Sequence, residues 1–127
     1  SRDMQTLFVL ESLDNLRKNG RLTGLQSVVT GALRIKLLMG ATPEGEICKK
    51  GQAISIKQAL SKMVELMVKD AKHVGRTLVL SHCNCLERAF QLKEMVLKAC
   101  QFRDVVIVET RGISTVYAND GGVVVAY

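Results

Sequence analysis

The spacing of apolar and polar residues predicts strands along most of the chain. Runs with the composition of strands occur at residues 6–10, 36–42, 46–50, 77–81, 105–108 and 123–127. Between the second and third runs, Pro43-Glu44-Gly45 predicts a hairpin turn, because Pro fixes φ and Gly adopts positive φ. The runs at 77–81 and 105–108 are continuously apolar, which predicts strands covered on both faces.

Helical spacing predicts two helices between the first two strands. The first is short, begins at Ser12 and includes Leu13 and Leu16. The second spans residues 24–35, and a capping box formed by Thr23 and Gln26 precedes it. Its apolar face consists of Leu25, Val28, Val29, Ala32 and Leu33.

Two more helices are predicted in the second half of the chain. Ser55 and Gln58 form a second capping box, which begins a long helix that extends to about His73 and ends before Gly75. The expected buried face of this helix consists of Leu60, Met63, Val64, Met67 and Ala71. The last helix begins at residues 84–87, and its expected inner face consists of Ala89, Phe90, Val96 and Leu97.

Strands and helices alternate in the second half, which is typical of βαβ units and predicts the α/β class. We expect a mixed β-sheet of about five to six strands with about four helices, in a single domain that spans residues 1–127. Aromatic residues make up only 4% of the chain and Trp is absent, so the core must be aliphatic. A base-stacking surface for single-stranded nucleic acid is therefore hard to build.

Charge and cysteine content narrow the class of protein. The formal net charge of +6 leaves a nucleic-acid-binding domain as a lesser alternative, but acidic residues are interleaved and the longest basic run is Lys49-Lys50. The four cysteines do not resemble a disulfide scaffold. No run approaches the roughly 18 apolar residues of a membrane helix, and no signal-peptide pattern precedes the first strand. These features predict a cytoplasmic location.

The segment Ser81-His82-Cys83-Asn84-Cys85 is the most reactive in composition. Its CxC spacing and the lack of a second ligand pair argue against a structural metal site, and we expect no metal and no cofactor. An enzyme remains an alternative, as a hydrolase or phosphotransferase that uses His82, Cys83 or Asp120. No GxSxG, P-loop or GxGxxG motif supports it.

The segment from Asn19 to Gln26 predicts an anion site at the start of a helix. Gly20 ends the preceding segment and Thr23 caps the next helix, so Arg21 lies near unsatisfied backbone N–H groups at the positive end of a helix dipole. A carboxylate or phosphate fits such a site. The alternative is that Arg21 pairs with a nearby Asp or Glu.

Residues 111–122 form a second candidate site. They follow an apolar strand, and ligands of open α/β sheets bind at the carboxyl ends of strands. The segment offers the hydroxyls of Ser114 and Thr115 and the amide of Asn119. The alternative is an ordinary turn built from Asn119-Asp120-Gly121-Gly122.

Two segments resemble the DegV family of bacterial fatty-acid-binding proteins. Leu13-x-x-Leu16-x-Lys18-Asn19-Gly20-Arg21-Leu22 resembles the family's TLxYLxKGGRIS segment, and residues 112–127 resemble its closing GPVIGTHTGPGALGLAF segment. The resemblance extends over the whole chain but only to the C-terminal of the family's two domains. The family's N-terminal DS(T/S)xD segment, which grips the fatty-acid carboxylate, is absent, so the chain is expected to lack the N-terminal domain.

The resemblance implies a carrier rather than an enzyme. It implies that a long-chain fatty acid lies between the two domains and is presented to a separate fatty-acid kinase for phospholipid synthesis. Where the family often has His and a basic residue, this chain has Ala118 and Ile54. Arg21 falls on the arginine of the family's GGRI segment, which implies a contact with the head group. Ser114, Thr115 or Asn119 replaces the contact of the missing His, or the ligand differs. Our candidate carboxylate contacts are therefore Arg21, Thr23, Ser114, Thr115 and Asn119, and our candidate contacts of the acyl tail are Leu25, Val28, Val29, Leu60 and Met63.

Overall fold

A six-stranded mixed sheet is the centre of the molecule. The computed structural model describes residues 4–10, 35–42, 44–110 and 121–127. The strands are β1 (Thr6–Leu10), β2 (Lys36–Ala41), β3 (Ile47–Ala53), β4 (Thr77–His82), β5 (Asp104–Glu109) and β6 (Val123–Ala126). Their order across the sheet is β3-β2-β1-β6-β4-β5. Two helices, α1 (Ile56–Lys69) and α2 (Leu86–Ala99), and a short 3₁₀ helix (Ala71–His73) complete the described elements.

Strand direction places several chain connections at one edge of the sheet. β4 and β5 are parallel, and every other neighbouring pair is antiparallel, so β1, β4 and β5 run in the same direction. The register then aligns six strand ends, which we call the loop edge: Leu10, Lys36, Ala53, His82, Glu109 and Val123. Both long helices begin at this edge, because α1 follows β3 and α2 follows β4.

The N-cap predicted at Ser55 for α1 is confirmed, and the return bond from Gln58 reaches the residue before the cap. The Ser55 hydroxyl accepts a hydrogen bond from the Gln58 N–H at 3.1 Å, and the Gln58 side chain accepts one from the Ile54 N–H at 2.9 Å. The expected end at His73 is wrong, because Asp70 is extended and its side chain accepts from the Lys72 N–H, which begins a separate 3₁₀ helix. Ala71 is consequently exposed rather than buried.

Although Phe8, Leu37 and Met39 are fully buried on one face of the sheet, most of the described core lies between the two helices and the other face. Met63 and Met67 of α1 and Leu92 and Val96 of α2 are fully buried against this face. Alternation along the strands supplies the other side of the core, which includes Leu7, Val9, Leu38, Leu78, Leu80, Val105 and Val125. The interior is therefore aliphatic, as the composition predicts.

The expectation that β4 and β5 are covered on both faces is wrong. Leu78 and Val105 face the helices, whereas Val79, Val106 and Val108 on the other face are 38–41% exposed. The inner face expected for α2 is also wrong in part. Ala89 and Val96 are buried, but Phe90 and Leu97 are each 52% exposed.

The remaining strand and helix predictions differ in outcome. The described residues contain six strands but only two of the four expected helices, so they do not support the count of four. The other two predictions fall within residues 11–34, which lie outside the described residues. β3 is longer than expected, because residues 51–53 continue its pairing with β2 beyond a bulge at Leu38/Met39. Gly45 has φ 88°, as the turn requires.

α1 and α2 have 14 residues each. Neither is long and apolar enough to cross a membrane.

Candidate functional site

Most of the predicted ligand contacts belong to two chain connections at the loop edge. One connection joins Leu10 to Lys36 and the other joins Glu109 to Val123. The contacts themselves lie outside the described residues, whereas both ends of each connection are described. The predicted residues concerned are Arg21, Thr23, Leu25, Val28, Val29, Ser114, Thr115 and Asn119, together with Ala118 and Asp120.

Both ends of the connection 111–120 are bonded to the end of β4. The Thr110 N–H and hydroxyl both donate to the His82 carbonyl, at 2.8 and 3.0 Å. At the other end, the Gly121 N–H donates to the Cys83 carbonyl at 2.9 Å, and the Cys83 N–H donates to the Gly122 carbonyl at 3.0 Å. The connection therefore leaves and re-enters the sheet beside the same two residues.

His82 is a buried structural acceptor at the centre of this edge. Its side chain is nearly inaccessible, and its Nδ1 accepts the Cys85 N–H at 3.1 Å. The Glu109 Oε2 lies 3.6 Å from the same Nδ1. The other oxygen of Glu109 accepts the Asn84 N–H at 3.2 Å. Both side chains hold the turn between β4 and α2.

The thiol of Cys85, at the end of the turn between β4 and α2, has low reactivity. Asn84 has φ 55°, the left-handed conformation that Asn tolerates. The Cys85 thiol donates to the Gly122 carbonyl at 3.5 Å. Burial raises the pKa of Cys85 above its ordinary value and outweighs the opposite effect of Arg88. The thiol is therefore protonated at neutral pH, which argues against a nucleophile at this position.

Two helix N-termini and an arginine supply positive potential at the loop edge. The first turns of α1 and α2 each present the positive end of a helix dipole there. The Arg88 guanidinium donates to the Gly121 carbonyl at 2.6 Å, which also fixes the end of the connection 111–120. Glu87 and Glu109 reduce this potential, so the described part of the edge is mixed in charge.

A groove of about 730 Å³ lies between α1 and α2. Ile56, Leu60 and Met95 form its apolar part, and polar side chains line the rest. A second cavity of about 520 Å³ at the start of α2 shares Arg88 and Gln91 with the groove, so the groove extends to the loop edge. Of the two predicted tail contacts that are described, Leu60 lines the groove, whereas Met63 is fully buried in the core.

Within residues 4–10, 35–42, 44–110 and 121–127, no three His, Cys, Asp or Glu side chains are grouped to hold an ion. His82 and Cys83 are neighbours in sequence, but the His82 Nδ1 is already bonded to the Cys85 N–H.

Comparison with known protein families identifies the family of this chain. A family model described as "Uncharacterised protein, DegV family" matches the chain from residue 1 to residue 127. The chain belongs to the DegV family. The resemblance of the Leu13–Leu22 and 112–127 segments to this family is confirmed.

Several DegV proteins are similar to this chain over nearly all of its length. A DegV domain-containing protein of Streptococcus gordonii is 32% identical over 95% of the chain and 43% of its own length. A DegV protein of Ruminococcus gnavus, solved with vaccenic acid, is 46% identical with a TM-score of 0.88, and the match covers 99% of this chain and 45% of that one. The Streptococcus pneumoniae Fatty Acid Kinase (Fak) B3 protein, loaded with linoleic acid, is 31% identical with a TM-score of 0.81, and the match covers 98% and 44%. The chain spans less than half the length of these relatives.

Two residues of this candidate site were missed by the sequence analysis. Arg88 is in the first turn of α2, where the helix dipole disfavours a positive charge. Its position there could have indicated that its side chain has a partner elsewhere in the fold. Glu109 ends an apolar strand, and only the pairing of β4 with β5 brings it beside His82 and Asn84. The sequence alone contains no signal of that pairing.

Proposed function

We propose that this chain is the C-terminal, lipid-binding part of a DegV protein. In this proposal the loop edge holds the carboxylate of a long-chain fatty acid, and an adjoining apolar site holds the acyl tail. The longer protein presents the acid to a separate fatty-acid kinase for phospholipid synthesis, and acts as a carrier rather than a catalyst.

The sheet topology is the observation that carries this proposal. The two connections that contain Arg21, Thr23, Ser114, Thr115 and Asn119 both begin and end at the loop edge. The ends of two connections that are far apart in sequence are therefore neighbours at this edge. The N-termini of α1 and α2 add backbone N–H groups at the same edge, and such groups favour an anion.

The groove between α1 and α2 supports the second half of the proposal. Its volume of about 730 Å³ falls within the usual size of small-molecule sites, and Leu60, one of the proposed tail contacts, lines it. A charge-assisted hydrogen bond contributes roughly 1.5–3 kcal/mol and a helix N-terminus about 0.3–1 kcal/mol. Each buried methylene contributes about 0.8 kcal/mol, so the tail dominates affinity and the anion site sets orientation.

The solved relatives support a fatty acid as the ligand. The Ruminococcus gnavus protein contains vaccenic acid and the pneumococcal protein contains linoleic acid. Both relatives are more than twice as long as this chain, which fits a site completed by another domain. We therefore expect the isolated chain to fold but to bind fatty acid poorly.

The kinase contact is proposed at the loop edge, just before α1. Ile54 is 81% exposed there, at the position where the family often has a basic residue. An exposed isoleucine offers an apolar contact instead of a charged one. In this proposal the partner surface is correspondingly less acidic opposite Ile54.

Extraction of the ligand tests the proposal. The longer protein that contains this chain is purified natively and extracted with organic solvent, and the extract is analysed by mass spectrometry. We expect one fatty acid per protein and a large loss of it in an Arg21→Ala variant. Arg103→Ala is the matched control, because Arg103 is exposed and precedes β5 at the opposite edge of the sheet.

Three results would contradict the proposal. They are an empty protein, a bound molecule that is not a lipid, and equal loss of lipid in the Arg21→Ala and Arg103→Ala variants. Micromolar binding by the isolated chain would contradict the requirement for a second domain.

A further inference from the structure

Cys83 and Cys85 are separated by a single residue in the turn between β4 and α2. That residue, Asn84, lies in the left-handed region with φ 55°. In the left-handed helical conformation the Cα atoms of its two neighbours are about 5.4 Å apart, as for residues i and i+2 of any α-helix. Disulfides usually join Cα atoms that are about 4.4–6.8 Å apart. The backbone of the turn therefore holds the two cysteines at a spacing that a disulfide can bridge.

The Cys85 side chain turns back towards Cys83. Its thiol donates to the Gly122 carbonyl at 3.5 Å, and the Cys83 N–H donates to the same carbonyl at 3.0 Å. Burial raises the pKa of the Cys85 thiol, the Cys83 N–H opposes this effect, and the Cys83 thiol adds to it. The Cys85 sulfur therefore lies beside the backbone of Cys83 and within electrostatic reach of its thiol.

Both thiols of the turn are accessible to a small reagent. Each is in the reduced form and partly exposed. The cavity of about 520 Å³ at the start of α2 is lined by Asn84 and Cys85, and a volume of this size admits small molecules. The other two cysteines are elsewhere, because Cys48 is in β3 and Cys100 follows α2. The turn thus contains an isolated pair of cysteines.

We propose that Cys83 and Cys85 are an oxidation site, at which a low-molecular-weight disulfide converts the two thiols into one intramolecular disulfide. Cys83 attacks first, because the Cys85 thiol stays protonated at neutral pH. The Cys83 thiolate attacks one sulfur of the reagent, whose S–S bond breaks, and the other half leaves as a thiolate that takes up the proton. Cys85 then loses its proton to solvent and attacks the Cys83 sulfur, which releases the second half of the reagent. Two protein thiols are oxidised, and one reagent disulfide is reduced to two thiols.

The bond between the two cysteines is expected to be reversible. A disulfide that spans one residue closes a small ring, and a strained disulfide is more easily reduced than an unstrained one. The oxidised form therefore persists only while the oxidant exceeds its thiol product. This is the behaviour of a switch and not of a structural disulfide.

Oxidation acts on one end of the connection 111–120. It removes the S–H group of Cys85 that donates to the Gly122 carbonyl. Ring closure also displaces the backbone of Cys83, whose N–H and carbonyl bond Gly122 and Gly121. We expect these bonds to weaken, so that residues 121–122 are held less firmly against the end of β4. An effect on ligand binding rests in addition on the proposed function, because the connection carries candidate ligand contacts.

Peptide mass spectrometry after oxidation tests for the bond. The chain is treated with oxidised glutathione, alkylated and digested with trypsin, which cuts after Arg76 and Arg88 and leaves both cysteines in peptide 77–88. We expect this peptide to lose two hydrogen atoms and to carry neither an alkyl group nor glutathione. Cys48 is the internal control, because it is also partly exposed but has no neighbouring cysteine. Unmodified thiols, a stable glutathione adduct on peptide 77–88 or a disulfide to another peptide would overturn the proposal.

Serine substitutions test the order of attack. Cys85→Ser retains a donor for the Gly122 carbonyl and should trap glutathione on Cys83 as a stable mixed disulfide. Cys83→Ser should react roughly tenfold or more slowly, because the remaining Cys85 thiol is held protonated. Equal rates for the two variants, or a faster reaction of Cys83→Ser, would overturn the assignment of Cys83 as the attacking residue.

Substitution of Asn84 tests the part played by the turn. Asn84→Gly permits the left-handed conformation and should close the ring at the wild-type rate. Asn84→Val disfavours this conformation and should slow closure several-fold. Both variants retain the backbone N–H that donates to Glu109. Equal rates for the two variants would show that the geometry of the turn does not promote the bond.

Hydrogen exchange without lipid separates this inference from the proposed function. Oxidation should accelerate exchange several-fold at the Cys83 and Gly121 amides, and a reducing agent should restore slow exchange. The matched control is the double variant Cys83→Ser/Cys85→Ser, in which the oxidant should change neither amide. Unchanged exchange in the fully oxidised chain would overturn the switch, whatever the chain binds.

Discussion

Two buried histidines make the same local bond in different surroundings. His73 accepts the Gln101 N–H at its Nδ1 at 3.0 Å, near the edge of the sheet opposite the loop edge. His82 accepts the Cys85 N–H at its Nδ1 at 3.1 Å, at the loop edge. Both side chains are at most 9% exposed. The bond itself therefore does not distinguish a structural histidine from a functional one.

The neighbours of the two histidines make the difference. His73 belongs to a closed cluster, in which its ring centroid lies 5.8 Å from that of Phe102, and Phe102 packs edge-on against Tyr127 at 5.2 Å. The Tyr127 hydroxyl donates to Asp70 at 3.0 Å. His82 instead lies beside a partly exposed Glu109 and beside the ends of a connection that carries predicted ligand contacts. A histidine at a strand end acquires a functional interpretation only from such neighbours.

Removal of the aromatic centre of the His73 cluster should have the largest effect. Phe102→Ala should lower the free energy of unfolding by about 3–5 kcal/mol, because it leaves a cavity between His73 and Tyr127. Urea denaturation measures the change. Phe90→Ala is the matched control, because Phe90 is 52% exposed, and it should cost under about 1 kcal/mol. Similar losses for the two variants would contradict the closed cluster.

Substitution of each histidine in turn should distinguish the surroundings of His73 from those of His82. His73→Ala and His82→Ala should each destabilise the protein by about 1–3 kcal/mol, because each leaves a backbone N–H unsatisfied. Only His82→Ala should accelerate hydrogen exchange at the Thr110 and Gly121 amides, which are bonded to residues 82 and 83. His82→Asn retains an acceptor close to the position of Nδ1 and should restore slow exchange. If both alanine variants accelerated exchange at these two amides equally, the two histidines would not differ in this way.

Loss of the Arg88 side chain should have a smaller effect that is confined to the loop edge. Arg88→Ala removes the 2.6 Å bond to the Gly121 carbonyl and should cost roughly 1.5 kcal/mol, as expected for a charged hydrogen bond. Hydrogen exchange should accelerate at Gly121 and remain unchanged around His73. Arg103→Ala, at an exposed arginine, should change stability by about 0.5 kcal/mol or less. A larger effect at Arg103 would contradict this ranking.

Tyr127→Phe should have the smallest effect at neutral pH, about 1 kcal/mol from the lost bond to Asp70. Burial and the bond to Asp70 raise the pKa of Tyr127 above its ordinary value of 10.0. A raised pKa means that the folded state retains the proton more strongly, so this contribution is complete below pH 10 and declines as the pH rises further. Urea denaturation between about pH 8 and pH 11 should show wild-type stability falling faster than that of the variant. Parallel curves would exclude this coupling.

Local sequence signals were sufficient to predict elements that depend on a few neighbouring residues. β1 and the start of α1 agree with their prediction, because alternation and a capping box act over a few residues. The start of α2 is different: Cys85 supplies no side-chain cap, and Glu109, 25 residues away from Asn84, bonds the preceding turn. Val106 and Phe90 were predicted to be buried but are exposed. The spacing of apolar residues shows where such side chains lie on a strand or helix, but not whether another element covers them.

The candidate site was predictable only as two separate segments. Arg21 and Asn119 can each be proposed from local motifs, whereas the common edge at which their two connections begin and end follows from the parallel direction of β1, β4 and β5. Pairing of strands so distant in sequence depends on the whole sheet, which no short motif encodes.

The position of β6 also determines when this sheet can assemble. β6 lies between β1 and β4 and is the only described strand that connects the β3-β2-β1 ladder to the β4-β5 ladder. During synthesis, the residues of both ladders are made before residues 123–126. Until β6 is available, neither ladder has its strand partner at the central position of the sheet. Folding must therefore be completed after synthesis of this segment, and the high sequence separation of β1 and β6 makes that step slow.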